Sequence, residues 1–135
     1  MMFINEMSNS ALLVLRLILG SVFIVHGLPK LKGSKKMAEM MGKPNMASAF
    51  MLLGICELLG GLASIGGFLT QIAAIGLGII MIGAIVMKIK KWHVAFTAHD
   101  KTGWEFDATL LAIALALFFM GAGSFSIDSI IGFWP

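Results

Sequence analysis

The chain of 135 residues has no tyrosine, three prolines, one cysteine and only 13% charged residues. Each shortage excludes something. With Cys56 alone, an internal disulfide is impossible, and without a CxxC pair dithiol redox chemistry within the chain is excluded. A soluble domain carries about a quarter charged residues, so this chain has too few polar groups to cover a water-facing surface. No phosphate loop, nucleophile elbow or haem-attachment sequence occurs. Glu6 stands near the start and no basic stretch precedes the first apolar run, so no secretory signal peptide is visible. The net charge of +3 comes from lysines without interleaved aromatics, which argues against a nucleic-acid partner.

What remains is apolar: 59% of residues are hydrophobic, with ten Phe and eleven Met, and the mean hydropathy is +0.95. A bilayer accepts such side chains on the outside of a helix bundle, and a spanning helix needs about 20 of them. Residues 108–127 carry no formal charge, and residues 44–87 carry only Glu57. As one helix the second stretch would reach about 66 Å, roughly twice the hydrocarbon thickness, so it must turn. Gly66-Gly67 suits a helix end and Thr70 a helix start. The first span ends at Gly27-Leu-Pro29. The expectation is one membrane domain, an all-α antiparallel four-transmembrane-helix bundle. Its helices run over 10–28, 47–66, 70–88 and 104–123, with basic loops at 29–46 and 89–103.

Charge orients the bundle. Lys30, Lys32, Lys35, Lys36 and Lys43 lie in the first loop, and Lys88, Lys90, Lys91 and Lys101 in or beside the third, whereas the termini and the 66–70 turn carry no Lys or Arg. The positive-inside rule then puts both termini outside the cell membrane and both long loops in the cytoplasm. Residues 34–41 read as a short helix on the lipid surface, and Trp92, Trp104 and Trp134 as interfacial anchors. Small residues at helical spacing (Gly60 and Ser64, Ala74 and Gly78, Ala108, Ala112 and Ala116) permit close helix packing. Cys56 reads as a small packing residue.

Ionisable groups inside a span cost about 2.5–3.5 kcal/mol each on insertion scales, so each needs a reason. Arg16 in the first helix and Glu57 in the second are expected to pair, as a structural tie or as a polar site for a head group or a proton. A second cluster gathers at the cytoplasmic end: His26 and Lys30 after the first span, His93 after the third, and Glu105 with Asp107 opening the fourth. Such groups relay protons or bind ligands. Their spacing is not a metal motif, and no metal is assigned. Thr102-Gly-Trp-Glu105 also reads as a capping box for the fourth helix.

These residues resemble the DoxX family of small four-helix membrane proteins over nearly the whole chain. The resemblance is carried by Leu15-Arg-Leu-Ile-Leu-Gly20, His26-Gly-Leu-Pro-Lys-Leu31, Glu57-Leu-Leu-Gly-Gly-Leu62, Gly67-Phe-Leu-Thr-Gln-Ile-Ala-Ala74, His93 with Phe96, and Gly103-Trp-Glu-Phe106. Gln71 stands where an arginine commonly follows Leu-Thr, which puts an anionic contact at that turn in doubt, and Trp104 replaces a tyrosine. The resemblance implies an accessory or quinone-facing subunit of a membrane oxidoreductase of respiratory or sulfur type. Its cofactor would be quinone and its partner a membrane or peripheral redox subunit, or another copy of the chain. The alternative it implies is a non-catalytic assembly, chaperone or lipid-binding protein. On the first reading Arg16, Glu57, His26 and His93 would hold the quinone or conduct its protons, with Lys30 and Glu105 beside them.

Overall fold

The computed structural model describes residues 2–133. Five α-helices and one 3-10 turn follow in order, with no strand among the described residues: α1 Met2–Met40, the 3-10 turn Pro44–Met46, α2 Ala47–Gly66, α3 Thr70–Lys90, α4 Trp104–Met120 and α5 Ile127–Ile131. The expected all-α bundle of four long antiparallel helices is present. Three segments (Met2–Met40, Pro44–Gly66 and Thr70–Lys90) are long and apolar enough to cross a membrane. The 17 residues of α4 reach about 26 Å at 1.5 Å per residue, slightly less than the hydrocarbon core.

Several boundaries differ from the sequence expectation. The first helix does not stop at residue 28. Pro29 lies inside α1, and the chain bends instead at Gly33, which leaves helical geometry with φ −121° and ψ 23°. Lys, Met, Ala and Glu are good helix formers, so the basic stretch continues as helix to Met40. The loop expected over 29–46 is therefore mostly helical, and the short helix expected at 34–41 is the part of α1 beyond the kink. At the other end α1 begins at Met2, eight residues early. Ser8 and Ser10 return their hydroxyls to the carbonyls of Ile4 and Glu6, 2.9 and 3.0 Å away. The last span ends at Met120 rather than residue 123, because Gly121 and Gly123 turn with φ 75° and 76°.

The α2–α3 turn lies where the paired glycines place it. Gly67 takes φ 64°, and Phe68 donates its N–H to the Ala63 carbonyl, 2.9 Å away, closing the helix end in the manner left-handed caps do. Thr70 is not the N-cap. It is the first helical residue, and the cap is Leu69 at φ 48°.

The helices pack as two close pairs, α1 on α2 and α3 on α4, with sparser contact between pairs. The α1–α2 contact is made by glycines. A Cβ on Gly20 would lie 2.5 Å from the Gly61 carbonyl, and one on Gly27 would lie 2.9 Å from the Gly54 carbonyl. The two contacts are seven residues apart on each helix, an antiparallel seam where only glycine lets the backbones meet. Between the pairs lies the core of Leu12, Leu19 and Phe23 on α1, Ala74, Leu77 and Met81 on α3, and Leu110, Ala114 and Leu117 on α4. Of the small-residue stripes expected from sequence, Ser64, Ala74 and Gly78 are buried, and Gly60 abuts Leu77. The α4 stripe is displaced. Ala112 is exposed, and the inward face runs instead through Asp107, Leu110, Ala114 and Leu117. Ile72, Ile79, Ile82, Leu115 and Phe119 point outward, as lipid-facing residues do.

Candidate functional site

The α1–α2 register decides which charges meet. With Gly20 opposite Gly61 and Gly27 opposite Gly54, Arg16 lies level with residue 65 and Glu57 with residue 24. That is a separation of about 12 Å along the helix axes. Helical side chains also lean toward the N-terminus of their own helix. In an antiparallel pair Arg16 and Glu57 therefore lean apart, whereas Lys30 and Glu57 lean together. The expected Arg16–Glu57 pair is accordingly not formed: Glu57 Oε1 pairs with Lys30 Nζ, and Arg16 finds other partners.

Around Lys30 and Glu57 lies the polar cluster of the lysine-rich end. Glu57 is 1% exposed, and its second oxygen, Oε2, is buried without a hydrogen-bond partner. The backbone beside it is tightly packed, since a Cβ on Gly27 would lie 3.0 Å from that of Glu57. His26, one residue earlier, is exposed and lies against Phe106 of α4, ring centroids 5.8 Å apart. A second ion pair ties α3 to α4: Lys88 Nζ lies 2.6 Å from Asp107 Oδ2 and donates to the Gly103 carbonyl at 3.3 Å. Asp107 is buried. Sequence reasoning placed both residues at this end without pairing them. The available signal was their position, Lys88 in the last turn of one helix and Asp107 in the first turn of its antiparallel neighbour.

Glu105 is half-buried beside this pair, and the capping box expected from Thr102 does not form. Gly103 is the N-cap, which makes Glu105 the second helical residue instead of the third, and Thr102 is exposed. The Glu105 N–H donates to the Phe96 carbonyl at 3.1 Å, while its carboxylate folds over Gly103, where any Cβ would collide with Oε2 at 2.0 Å. His93 is exposed in a left-handed conformation, φ 50°. Thus the structure brings Glu57 and Lys30 into contact, and His26 against α4. Among the described residues, no group of three His, Cys, Asp or Glu side chains could hold a metal ion. Nearby on the surface, a hydrogen bond from Lys43 and the positive charge of that neighbour hold the Lys91 amine below the usual lysine range.

Arg16 belongs to the opposite end. It is 1% exposed and donates Nη1 to the Ala122 carbonyl at 2.9 Å and Nη2 to the Phe125 carbonyl. It thereby pins the segment after α4, and its guanidinium fills the space over Gly67. Sequence reasoning missed the other half of this lock. Asp128 of α5 accepts from Leu69 N at 2.7 Å and Thr70 N at 2.9 Å, supplying the α3 cap that Thr70 does not. Gln71, which replaces the arginine of the expected pattern, donates to the Phe118 carbonyl at 2.8 Å. A cavity of about 580 Å³ opens here between Asn9, Gln71, Ser124 and Asp128. An apolar one of about 520 Å³ lies between α2 and α3, against Gly60, Ala63, Phe68, Ala73 and Ile127. Trp134, expected as an anchor, lies outside the described residues.

No solved structure matches the chain. A relative from Bacillus subtilis (strain 168), described as "Putative oxidoreductase CatD", is 30% identical over 126 residues, covering 92% of this chain and 89% of that protein. Residues 11–100 match the family model described as DoxX, a stretch that contains Arg16, His26, Lys30, Glu57 and His93. The chain belongs to the DoxX family.

Proposed function

We propose that this DoxX protein is a quinone-facing membrane subunit of an oxidoreductase, with the Lys30–Glu57 pair as the polar part of its quinone site. The observation that carries the reading is Glu57 itself. It is a buried intramembrane carboxylate with one oxygen on Lys30 and the other free. Intramembrane ionisable groups mark ligand or proton pathways, and a quinone carbonyl or quinol hydroxyl offers the complementary hydrogen bonds. The relative described as "Putative oxidoreductase CatD" points to the same class of chemistry. The chain's own side chains supply no haem or iron–sulfur ligand set, so electrons would reach the quinone from a partner redox subunit. His26 stands at the edge of this site, with Glu105 and His93 toward the surface. Arg16 is reassigned from ligand binding to holding the opposite end together. By the lysine asymmetry, the site opens toward the cytoplasm and both termini lie outside.

A second reading, a lipid-binding or assembly protein without redox chemistry, is favoured by the apolar cavity between α2 and α3. Purification in mild detergent, with mass spectrometry of all that co-purifies, separates the two. The quinone reading expects bound quinone in the wild type and its loss in Glu57→Ala. Recovery of phospholipid or a partner protein with no quinone at all would reject it in favour of the second.

A further inference from the structure

Both ion pairs at the lysine-rich end point the same way. The side chain of Lys30 is 23% exposed and that of Glu57 2%; for Lys88 and Asp107 the figures are 15% and 8%. In each pair the cation is the more exposed member and the carboxylate the more enclosed. The two pairs differ in what else they hold. Lys88 Nζ lies 2.6 Å from Asp107 Oδ2 and donates its hydrogen bond to the Gly103 carbonyl, which ties it to the loop. Lys30 makes its one side-chain hydrogen bond to Glu57, and Glu57 keeps Oε2 buried and unpartnered.

A buried carboxylate oxygen without a partner costs free energy if the residue is only a structural ion. The same oxygen is useful if it takes up and releases a proton. Moving a proton from the Lys30 ammonium to the Glu57 carboxylate converts two charges into two neutral groups. Burial penalises charges far more than neutral groups. The ionisable groups at this end include His26, Lys32, Lys35 and Lys36 on α1, Lys88 and Lys90 on α3, Lys91 and His93 after it, and Glu105 and Asp107 on α4. Of these, Lys88 and Asp107 neutralise one another.

We propose that Lys30 and Glu57 form a proton relay, in which Lys30 exchanges protons with water at the lysine-rich surface and Glu57 hands them to the interior through Oε2. The inference deepens the quinone reading and rests on it for the identity of the acceptor. A quinone takes two electrons from the reduced centre of the partner oxidoreductase and two protons through the pair. In each passage the Glu57 O–H bond breaks as a quinone O–H bond forms. The carboxylate is reprotonated by the Lys30 ammonium, and the resulting amine by water-borne protons at the surface. Two passages complete one quinol.

Arginine gives the decisive substitution, because it keeps the positive charge and pairs with a carboxylate but does not release its proton. The full chain in lipid nanodiscs would be loaded with a short-chain benzoquinone, the quinone reduced electrochemically, and the infrared difference spectrum followed in time. The wild type should show a carbonyl-stretch change from a carboxyl group that shifts in D₂O and disappears in Glu57→Gln. Quinol formation per bound quinone should slow about 100-fold or more in both Glu57→Gln and Lys30→Arg, with thermal unfolding of Lys30→Arg near that of the wild type. Fast quinol formation in Lys30→Arg, or a carboxyl signal that survives Glu57→Gln, would overturn the relay while leaving the quinone site standing. Failure of the wild type to bind the benzoquinone would overturn both.

Discussion

Replacing Arg16 by alanine should unfasten the end of the bundle opposite the lysines without unfolding the rest. Arg16 is 1% exposed, and its guanidinium donates to two main-chain carbonyls, those of Ala122 and Phe125. Hydrogen bonds from a charged donor contribute about 1.5–3 kcal/mol each, and an acceptor left buried and unpaired costs about 1–3 kcal/mol. Water entering the space vacated by the long side chain recovers part of this, so a net loss of about 3 kcal/mol is expected. At 1.4 kcal/mol per tenfold, that is roughly a 100-fold loss of protection. Hydrogen exchange of the amides of residues 122–130 in detergent or nanodiscs reads it directly. Arg16→Lys should fall between the two, since an ammonium keeps the charge but not the planar fork. Amides in the middle of α2 should exchange as in the wild type. Unchanged exchange over 122–130 in Arg16→Ala would refute the assignment of Arg16 as the fastener of this end.

Three further outcomes follow from the geometry. Gly54→Val should cost several kcal/mol of thermal stability or prevent folding, because even a Cβ there would lie 2.7 Å from Leu31 N and 2.9 Å from the Gly27 carbonyl; Gly76→Ala, in open space, should be neutral or stabilise by about 0.5–1 kcal/mol, and equal effects of the two would contradict the glycine seam. Amine-reactive labelling should find Lys91 reactive at lower pH than the amine of a free lysine side chain, with Lys43→Gln returning it to ordinary behaviour. The sign is that of a lowered lysine pKa: the protonated form is disfavoured in the fold, so the penalty is full below that pKa and relieved as pH rises toward the ordinary lysine value. A reporter fused after Pro135 should be active only outside the cytoplasm; activity in the cytoplasm alone would invert the topology.

The existence and order of the four long helices were legible because hydrophobic length and charge position are local properties. Helix ends were less so. Pro29 marks a stop in the sequence, yet the good helix formers after it carry α1 on until Gly33 bends it. The candidate site was half legible. Arg16 and Glu57 stand out as charges at membrane depth, but their pairing depends on the register between α1 and α2. That register is set by Gly20 against Gly61 and Gly27 against Gly54, long-range contacts that no local pattern ranks above the many other glycines. Asp128 was missed for a related reason. Its role is to cap a helix that starts 58 residues earlier, and nothing near it in sequence announces that.

Photolabelling the protein in its native membrane with an azidoquinone, and mapping the modified peptides, tests whether a quinone lies against Lys30 and Glu57. Labelling is expected within residues 26–31 of α1 and 54–58 of α2, diminished in Glu57→Ala. Labelling confined to residues 120–133 at the opposite end, or no displacement of the label by excess unmodified quinone, would contradict it.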